Sequence, residues 1–94
     1  MGFVAQDVGI DLGTATTIIC MKGKGIVLEE PTLAVKPKDD DRRILAIGND
    51  AVTLLGRVTE DVEVVHPIEN GIIANFEMAQ ALIRYMLRNS LGRS

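Results

Sequence analysis

The chain has 94 residues, of which 47% are hydrophobic, with two phenylalanines, one tyrosine and no tryptophan. A chain of this length forms one small domain, or a piece of one, that buries roughly 60–65% of its unfolded surface. The apolar content excludes a disordered tail. The formal net charge of −3 provides no electrostatic basis for nucleic-acid binding, so no nucleic-acid partner is predicted.

Cys20 is the only cysteine, which rules out an internal disulfide, and no secretory signal pattern opens the chain. A reducing cytosol is therefore the simplest compartment. No apolar run approaches the roughly 18–20 residues that span a bilayer, and residues 1–5 are too short to establish an amphipathic anchor. Peripheral membrane contact stays open. Cys20 lies in an apolar segment, and we interpret it as a small buried hydrophobe.

The first third of the chain predicts an antiparallel sheet of three strands. Two strands, Val8–Leu12 and Thr16–Met21, are separated by a turn at residues 13–15. A second connection that contains two glycines leads to a third strand at residues 26–29. The nearly continuous apolar run at residues 18–21 indicates a strand covered on both faces.

The middle of the chain predicts a smaller sheet. Residues 32–35 and 43–47 have strand composition and are separated by an acidic turn at residues 39–41. Val62–Val65 is a further strand candidate, and Pro67 ends it.

Two helices are predicted from their capping residues. Asn49 or Asp50 is expected to cap a short helix that runs to Leu55 and stops at Gly56, because each side chain offers an oxygen to unpaired amides. Gly71 begins the approach to a longer helix.

The longer helix is predicted at residues 76–91, with Asn75 as its N-cap and Gly92 as its C-terminal stop. Its apolar residues recur at helical spacing, which is typical of a face that packs against a core. These residues are Ala79, Leu82, Ile83, Met86 and Leu87.

The segment DVGIDLGTATT at residues 7–17 carries the best candidate for a binding site. Backbone amides at Gly13, Thr14 and Ala15 can bind phosphate oxygens, and Gly13 permits a close backbone approach. Asp11 is placed to hold Mg²⁺ through water, since Mg²⁺ keeps much of its hydration and accepts few carboxylates. The alternative is an ordinary hairpin in which Gly13 supplies the turn and Asp11 caps a backbone amide.

The other polar groups favour structural interpretations. Glu29 and Glu30 are consecutive strand residues that point to opposite faces, so we interpret them as a solvated edge and not as paired catalytic carboxylates. The acidic turn at residues 39–41 has no further ligand set and is interpreted as solvated. His66 has no second ligand residue at metal-binding spacing.

Four segments, GIDLGTATT, KGKGIVLEEP, LLGR and NGIIANFEMAQALIRYML, together resemble the amino-terminal part of the MreB family of bacterial actin-like rod-shape proteins. The resemblance covers about residues 7–88. Asp-Leu-Gly-Thr alone is shared with actins, Hsp70 chaperones and sugar kinases. KGKGIVL followed by Glu-Pro, and NGIIANF before a helix, discriminate better and disfavour an Hsp70 or sugar-kinase relative.

The resemblance implies an α/β fold, a partial actin-like (ribonuclease H-like) ATPase subdomain. It would contain an antiparallel three-stranded sheet plus a helix, with a small inserted α+β subdomain. Residues 1–31 and 71–94 would form the first part of subdomain IA, and residues 32–70 the inserted subdomain IB. The chain would be an N-terminal fragment of a cytoskeletal ATPase that acts in cell-shape determination.

The resemblance also implies a site and partners. Asp11, Gly13, Thr14, Ala15 and Thr16 would form the first phosphate loop, with Thr14 beside the phosphates and Thr16 where relatives usually have Asn. A complete family member would bind ATP and Mg²⁺ between two halves and polymerise on the inner membrane.

The isolated chain is expected to have no appreciable ATP turnover, because phosphoryl transfer needs groups on both sides of the phosphates. Its expected partners are copies of itself or MreB-like filament subunits, since an uncovered sheet edge promotes association. The alternative is a naturally short, non-enzymatic module that docks on such filaments. Nucleotide-independent binding to a full-length partner would distinguish that module from the ATPase fragment.

Overall fold

The structure is a computed structural model that describes residues 1–4, 7–57 and 61–91. The described elements are, in chain order, β1 (Gly2–Val4), β2 (Val8–Leu12), β3 (Thr16–Met21), β4 (Gly25–Pro31), β5 (Ala34–Pro37), β6 (Ala46–Ile47), α1 (Gly48–Leu55), β7 (Val62–Val65), β8 (Ile68–Glu69), β9 (Ile72–Ile73) and α2 (Phe76–Leu91). The strands form three antiparallel sheets, ordered β1-β2-β3-β4, β6-β5-β7 and β8-β9.

The first sheet confirms the predicted strands β2 and β3 and extends the third from residues 26–29 to Gly25–Pro31. It has four strands where three were predicted, because β1 pairs with the edge of β2 in the register Gly2↔Asp11 and Val4↔Gly9. A strand of three residues is too short to show a period of two in the sequence, so only the pairing of its backbone reveals it.

The core lies between this sheet and α2, which packs on β3 and β4. The predicted apolar stripe of α2 is confirmed, since Ala79, Leu82 and Met86 are buried while Ile83 and Leu87 are half-buried. Leu12 and Ile19 meet this stripe from the sheet. Residues spaced three and four apart share one face of a helix, which explains the pattern.

The predicted covering of β3 on both faces is wrong. Ile19 is fully buried, whereas Ile18 is half-buried and Cys20 is exposed. Successive side chains of a strand point to opposite faces, and α2 packs on the face that carries Ile19. The interpretation of Cys20 as a buried hydrophobe is corrected for the same reason.

The middle sheet is built around β5, which pairs with β6 on one side and β7 on the other. The strand predicted at residues 32–35 begins later, because the amides of Thr32 and Leu33 donate to Ala15 and Pro31 outside the ladder. The strand predicted at residues 43–47 is reduced to Ala46–Ile47, whereas Val62–Val65 is confirmed.

Helix α1 forms where it was predicted, but its predicted cap is wrong. Neither Asn49 nor Asp50 caps it; the N-cap position is Ile47, which has no side-chain cap. The amide of Asn49 instead donates to Oε1 of Glu30, 2.9 Å away on β4. Gly56 follows the helix as predicted, with φ of −74° and not in the left-handed conformation.

The residues before α2 form a hairpin that was not predicted. Asn70 and Gly71 have φ values of 54° and 76° and connect β8 to β9, which is the two-residue turn that Asn-Gly favours. The predicted cap of α2 is confirmed, because the Met78 amide donates to Oδ1 of Asn75 at 3.0 Å. The predicted stop at Gly92 lies outside the described residues. Neither helix in the described ranges is long and apolar enough to cross a membrane.

Lys36, on the central strand β5 of the middle sheet, forms an ion cluster. Lys36 is only 6% exposed, and its Nζ lies 2.7 Å from Asp41 Oδ1 and 3.6 Å from Glu63 Oε2. It also donates to the Pro37 carbonyl at 3.0 Å. Asp41, from the acidic turn predicted to be solvated, is exposed but paired with this lysine.

This pair predicts a pH dependence of stability. The hydrogen bond from Lys36, followed by its charge, holds the pKa of Asp41 below its ordinary value of 3.8. A carboxyl with a lowered pKa stabilises the fold above its unfolded pKa and loses that contribution as the pH falls through its folded pKa. We therefore expect the parent chain to lose more stability than Asp41→Asn between about pH 5 and pH 2.

Urea midpoints measured across that range would test the expectation, with Asp39→Asn as the matched control, since Asp39 is an exposed neighbour in the same turn. The Asp39 variant should follow the parent. Parallel pH curves for the parent and the Asp41 variant would contradict the prediction.

Candidate functional site

The predicted phosphate loop is the tip of the β2–β3 hairpin. Leu12, at the end of β2, is fully buried and anchors the loop to the core. The Gly13 amide donates to the Thr16 carbonyl at 3.1 Å and closes the tip, while Thr14 and Ala15 are exposed. A Cβ at residue 13 would contact the Thr16 carbonyl oxygen. Glycine is therefore the residue that this tip requires.

Two backbone amides of the tip are available to a ligand. Within the described part of the chain, the amides of Thr14 and Ala15 donate to no carbonyl. Neighbouring amides that are exposed and unpaired can bind the oxygens of an anion. The tip therefore offers two of the three amides predicted for phosphate binding, because the Gly13 amide donates to the Thr16 carbonyl within the loop.

Asp11 is on β2 directly before buried Leu12, so it points to the opposite face of the sheet. Its side chain is 72% exposed, and the amino terminus lies 3.8 Å from Oδ1. An exposed carboxylate keeps room for the waters that Mg²⁺ retains, which fits the predicted contact through water. Among the described residues, no three His, Cys, Asp or Glu side chains gather into a metal site.

Residues that flank the middle unit, β5 to β7, on both sides are hydrogen-bonded to the loop or to its neighbour Thr17. The Ala15 carbonyl accepts the Thr32 amide at 2.9 Å, and the hydroxyls of Thr17 and Thr32 are 2.7 Å apart and buried. The Thr14 hydroxyl accepts the Gly71 amide at 3.0 Å. Gly71 follows the middle unit in the chain, and Thr32 precedes it.

These contacts add Thr17, Thr32 and Gly71 to the residues predicted from the sequence. Thr17 is two residues before Ile19 on the same strand, so both side chains point to the inward face, and this spacing was a signal for the burial of Thr17. Asn70-Gly71 was a signal for a turn. Neither signal indicates that the turn meets the loop. Thr16 closes the loop through its carbonyl and pairs with Pro31 as the first residue of β3.

The other candidate groups are not part of the loop. An open cavity of about 580 Å³ lies between the turn after β5 and the start of α2, and none of the five predicted loop residues lines it. His66 and Glu29 are exposed. Glu30 is only 4% exposed, so its interpretation as part of a solvated edge is wrong. The start of α1 and the ring of Tyr85 on α2 lie against its side chain.

Comparison with known proteins agrees with this architecture. The family model described as MreB/Mbl protein matches residues 5–94. The chain is 40% identical over 83 residues to the cell shape-determining protein Mbl of Bacillus cereus, covering 88% of the chain and 25% of the relative. It is 36% identical over 90 residues to the cell shape-determining protein MreB of Pasteurella multocida, covering 93% and 26%.

Crystal structures of MreB5 of Spiroplasma citri are also similar. The form bound to AMPPNP superposes with a TM-score of 0.73 at 29% identity, over 90% of this chain and 25% of that one. The form bound to ADP gives a TM-score of 0.70 at 31% identity, over 85% and 24%. The chain therefore spans about a quarter of the length of the proteins that it matches.

Proposed function

Because this chain belongs to the MreB/Mbl family, we propose that it carries the first phosphate-binding loop of an actin-like cytoskeletal protein that binds nucleotide and acts in cell-shape determination. The names of the Mbl and MreB relatives support the cellular role. The MreB5 structures bound to AMPPNP and ADP support a nucleotide as the ligand.

The observation that carries the proposal is the exposed hairpin tip with two unpaired amides, at Thr14 and Ala15, close in sequence to an exposed carboxylate at Asp11. Donors in a fixed backbone bind phosphate oxygens without the entropy loss of ordering side chains. Gly13 has no side chain, which lets the backbone of the tip close on the Thr16 carbonyl. The Thr14 hydroxyl, held by the Gly71 amide, gives the loop a further polar group.

In the proposed site, Asp11 orients water molecules of the hydrated cation, and the loop amides bind phosphate oxygens. Mg²⁺ would supply neutralisation of phosphate charge. By the family resemblance, Thr16 has a hydroxyl where an amide side chain would be expected, so a longer polar side chain would be missing at this position. The chain's own contribution is binding and orientation.

We assign residues 1–31 and 71–94 to the large subdomain and residues 32–70 to the inserted one. The β6-β5-β7 sheet shares no strand with the four-stranded sheet, which supports an inserted unit within residues 32–70. The rest of a full-length protein would complete the nucleotide site, provide the groups for ATP hydrolysis and join subunits into filaments at the inner membrane. No observation favours the alternative of a short docking module.

The test is a titration of the ¹⁵N-labelled chain with Mg-AMPPNP, followed through its amide resonances. Half of a nucleotide cleft is expected to bind with a Kd on the order of 1 mM or weaker. Shifts should concentrate at residues 13–16 and at Gly71. Asp11→Asn should weaken the magnesium-dependent part of the nucleotide affinity about tenfold, because it removes the charge that orients the hydrated cation.

Asp7→Asn is the matched control, since Asp7 is also an exposed carboxylate of the same segment. It should leave the affinity unchanged. The same titration with AMPPNP and no magnesium isolates the contribution of the amides. Shifts scattered over the surface, or equal effects of the two Asp variants, would contradict the proposed site.

A further inference from the structure

A buried carboxylate lies at the place where β4, α1 and α2 meet. Glu30 is on β4, and its Oε1 accepts the Asn49 amide of α1 at 2.9 Å. The first amides of a helix have no partner within the helix, and α1 has no side-chain cap of its own. Glu30 therefore supplies from another element the acceptor that α1 lacks.

Tyr85 brings the second helix to the same place. Its hydroxyl, on α2, donates to Asp50 Oδ2 of α1 at 3.3 Å. Burial, followed by the negative charge of Glu30, raises the pKa of Tyr85 to about 12. The phenol consequently stays neutral and able to donate at physiological pH.

The backbone at Gly48 allows these groups to approach closely. Gly48 is buried with φ of 62°, and a Cβ there would overlap Glu30 Oε1 and lie 3.3 Å from Cε2 of Tyr85. The start of α1, the carboxylate and the ring therefore pack with no space for another carbon. Such packing leaves little freedom for the helix to shift.

Besides these contacts, the two helices are joined through β4, and hydrogen bonds of Thr32 and Gly71 tie the chain on either side of the middle sheet to the loop. α1 packs on β4, β5 and β6, whereas α2 packs on β3 and β4. Packing between apolar surfaces is non-directional, so it does not by itself select one orientation. Hydrogen bonds to a buried carboxylate are directional and costly to leave unmade.

We propose that Glu30 is a positioning residue that, together with the Tyr85 to Asp50 hydrogen bond, fixes α1 and the sheet β6-β5-β7 in one orientation relative to α2. The competing explanation is a local one, in which Glu30 only caps α1. A cap stabilises the first turn of its helix without setting the angle between two helices. The two explanations therefore differ in the orientation that they predict.

The experiment measures N–H residual dipolar couplings and amide hydrogen exchange of the 94-residue chain. In the parent, couplings from α1 and α2 should fit one alignment tensor. Glu30→Ala should remove that common fit and lower the protection of the Asn49 amide about tenfold, with β2 and β3 amides unchanged. Glu30→Gln keeps an oxygen acceptor and should restore both measurements.

Glu29→Ala is the matched control, because Glu29 is the exposed neighbour of Glu30 on the same strand. It should match the parent. A Glu30→Ala chain that retains the common alignment tensor would overturn the proposal. So would a loss of protection that is equal at all amides, because that is global destabilisation.

Tyr85→Phe provides a second test that removes a single oxygen and decides the question if Glu30→Ala does not fold. The proposal expects this variant to lose the common alignment of α1 and α2 while Asn49 stays protected. An unchanged alignment in Tyr85→Phe would show that the cap acts locally and would overturn the proposal.

Discussion

Gly48→Ala should destabilise the chain by about 3 kcal/mol, from about 1–2 kcal/mol for a left-handed backbone at a non-glycine residue and about 1–3 kcal/mol for overpacking. Gly48 has φ of 62° at the start of α1, where a new Cβ would overlap the Glu30 carboxylate. Since a domain of this size has a net stability of about 5 kcal/mol or more, most of the margin would be lost.

Urea unfolding monitored by circular dichroism measures this loss, and Gly23→Ala separates its two causes. Gly23 has φ of 81°, but a Cβ there would have no atom within 4 Å. Gly23→Ala should therefore lose only the stability that comes from the left-handed backbone, about 1–2 kcal/mol. Equal losses in the two variants would show that the contact with Glu30 and Tyr85 is not close-packed in solution.

The second large effect is expected for Leu82→Ala, with a loss of about 3 kcal/mol and a range of about 2–5 kcal/mol. Leu82 is fully buried on α2 among Leu12, Ile19 and Met86. Truncation removes apolar surface from the core and leaves a cavity, because the sheet and the helix on either side cannot fully collapse. Helix propensity changes little, since both residues are good helix formers.

Ile83→Ala is the natural comparison, because Ile83 is the next residue of the same helix and is only half-buried. It should cost clearly less than Leu82→Ala when the two are measured by the same urea titration. A larger loss for Ile83→Ala would contradict the prediction, because it would mean that α2 is rotated about its axis so that Ile83, and not Leu82, faces the centre of the core.

Local sequence patterns predicted the elements that carry the loop. The β2–β3 hairpin, the start of α2 at Asn75 and its buried stripe follow from residues close together in the chain. Such patterns depend on side-chain periodicity and on caps within three or four residues. The same locality explains why four matched segments were sufficient to recognise the family.

The capping of α1 shows where local reasoning failed. Asn49 and Asp50 are residues that favour N-caps, yet the acceptor comes from Glu30, nineteen positions earlier in the chain. Glu30 and Asn49 are neighbours only because β4 and α1 pack together. An expectation drawn from either segment alone could not include the other.

The sequence alone determined the hairpin with its glycine tip, the capped amphipathic helix α2 and the MreB/Mbl family, because each depends on short-range periodicity, caps or contiguous motifs. Only the tertiary structure decided that Cys20 is exposed, that Glu30 is buried and that Gly71 meets Thr14. Burial and long-range hydrogen bonds depend on which distant segment covers a given face. That choice belongs to the packing of the whole chain.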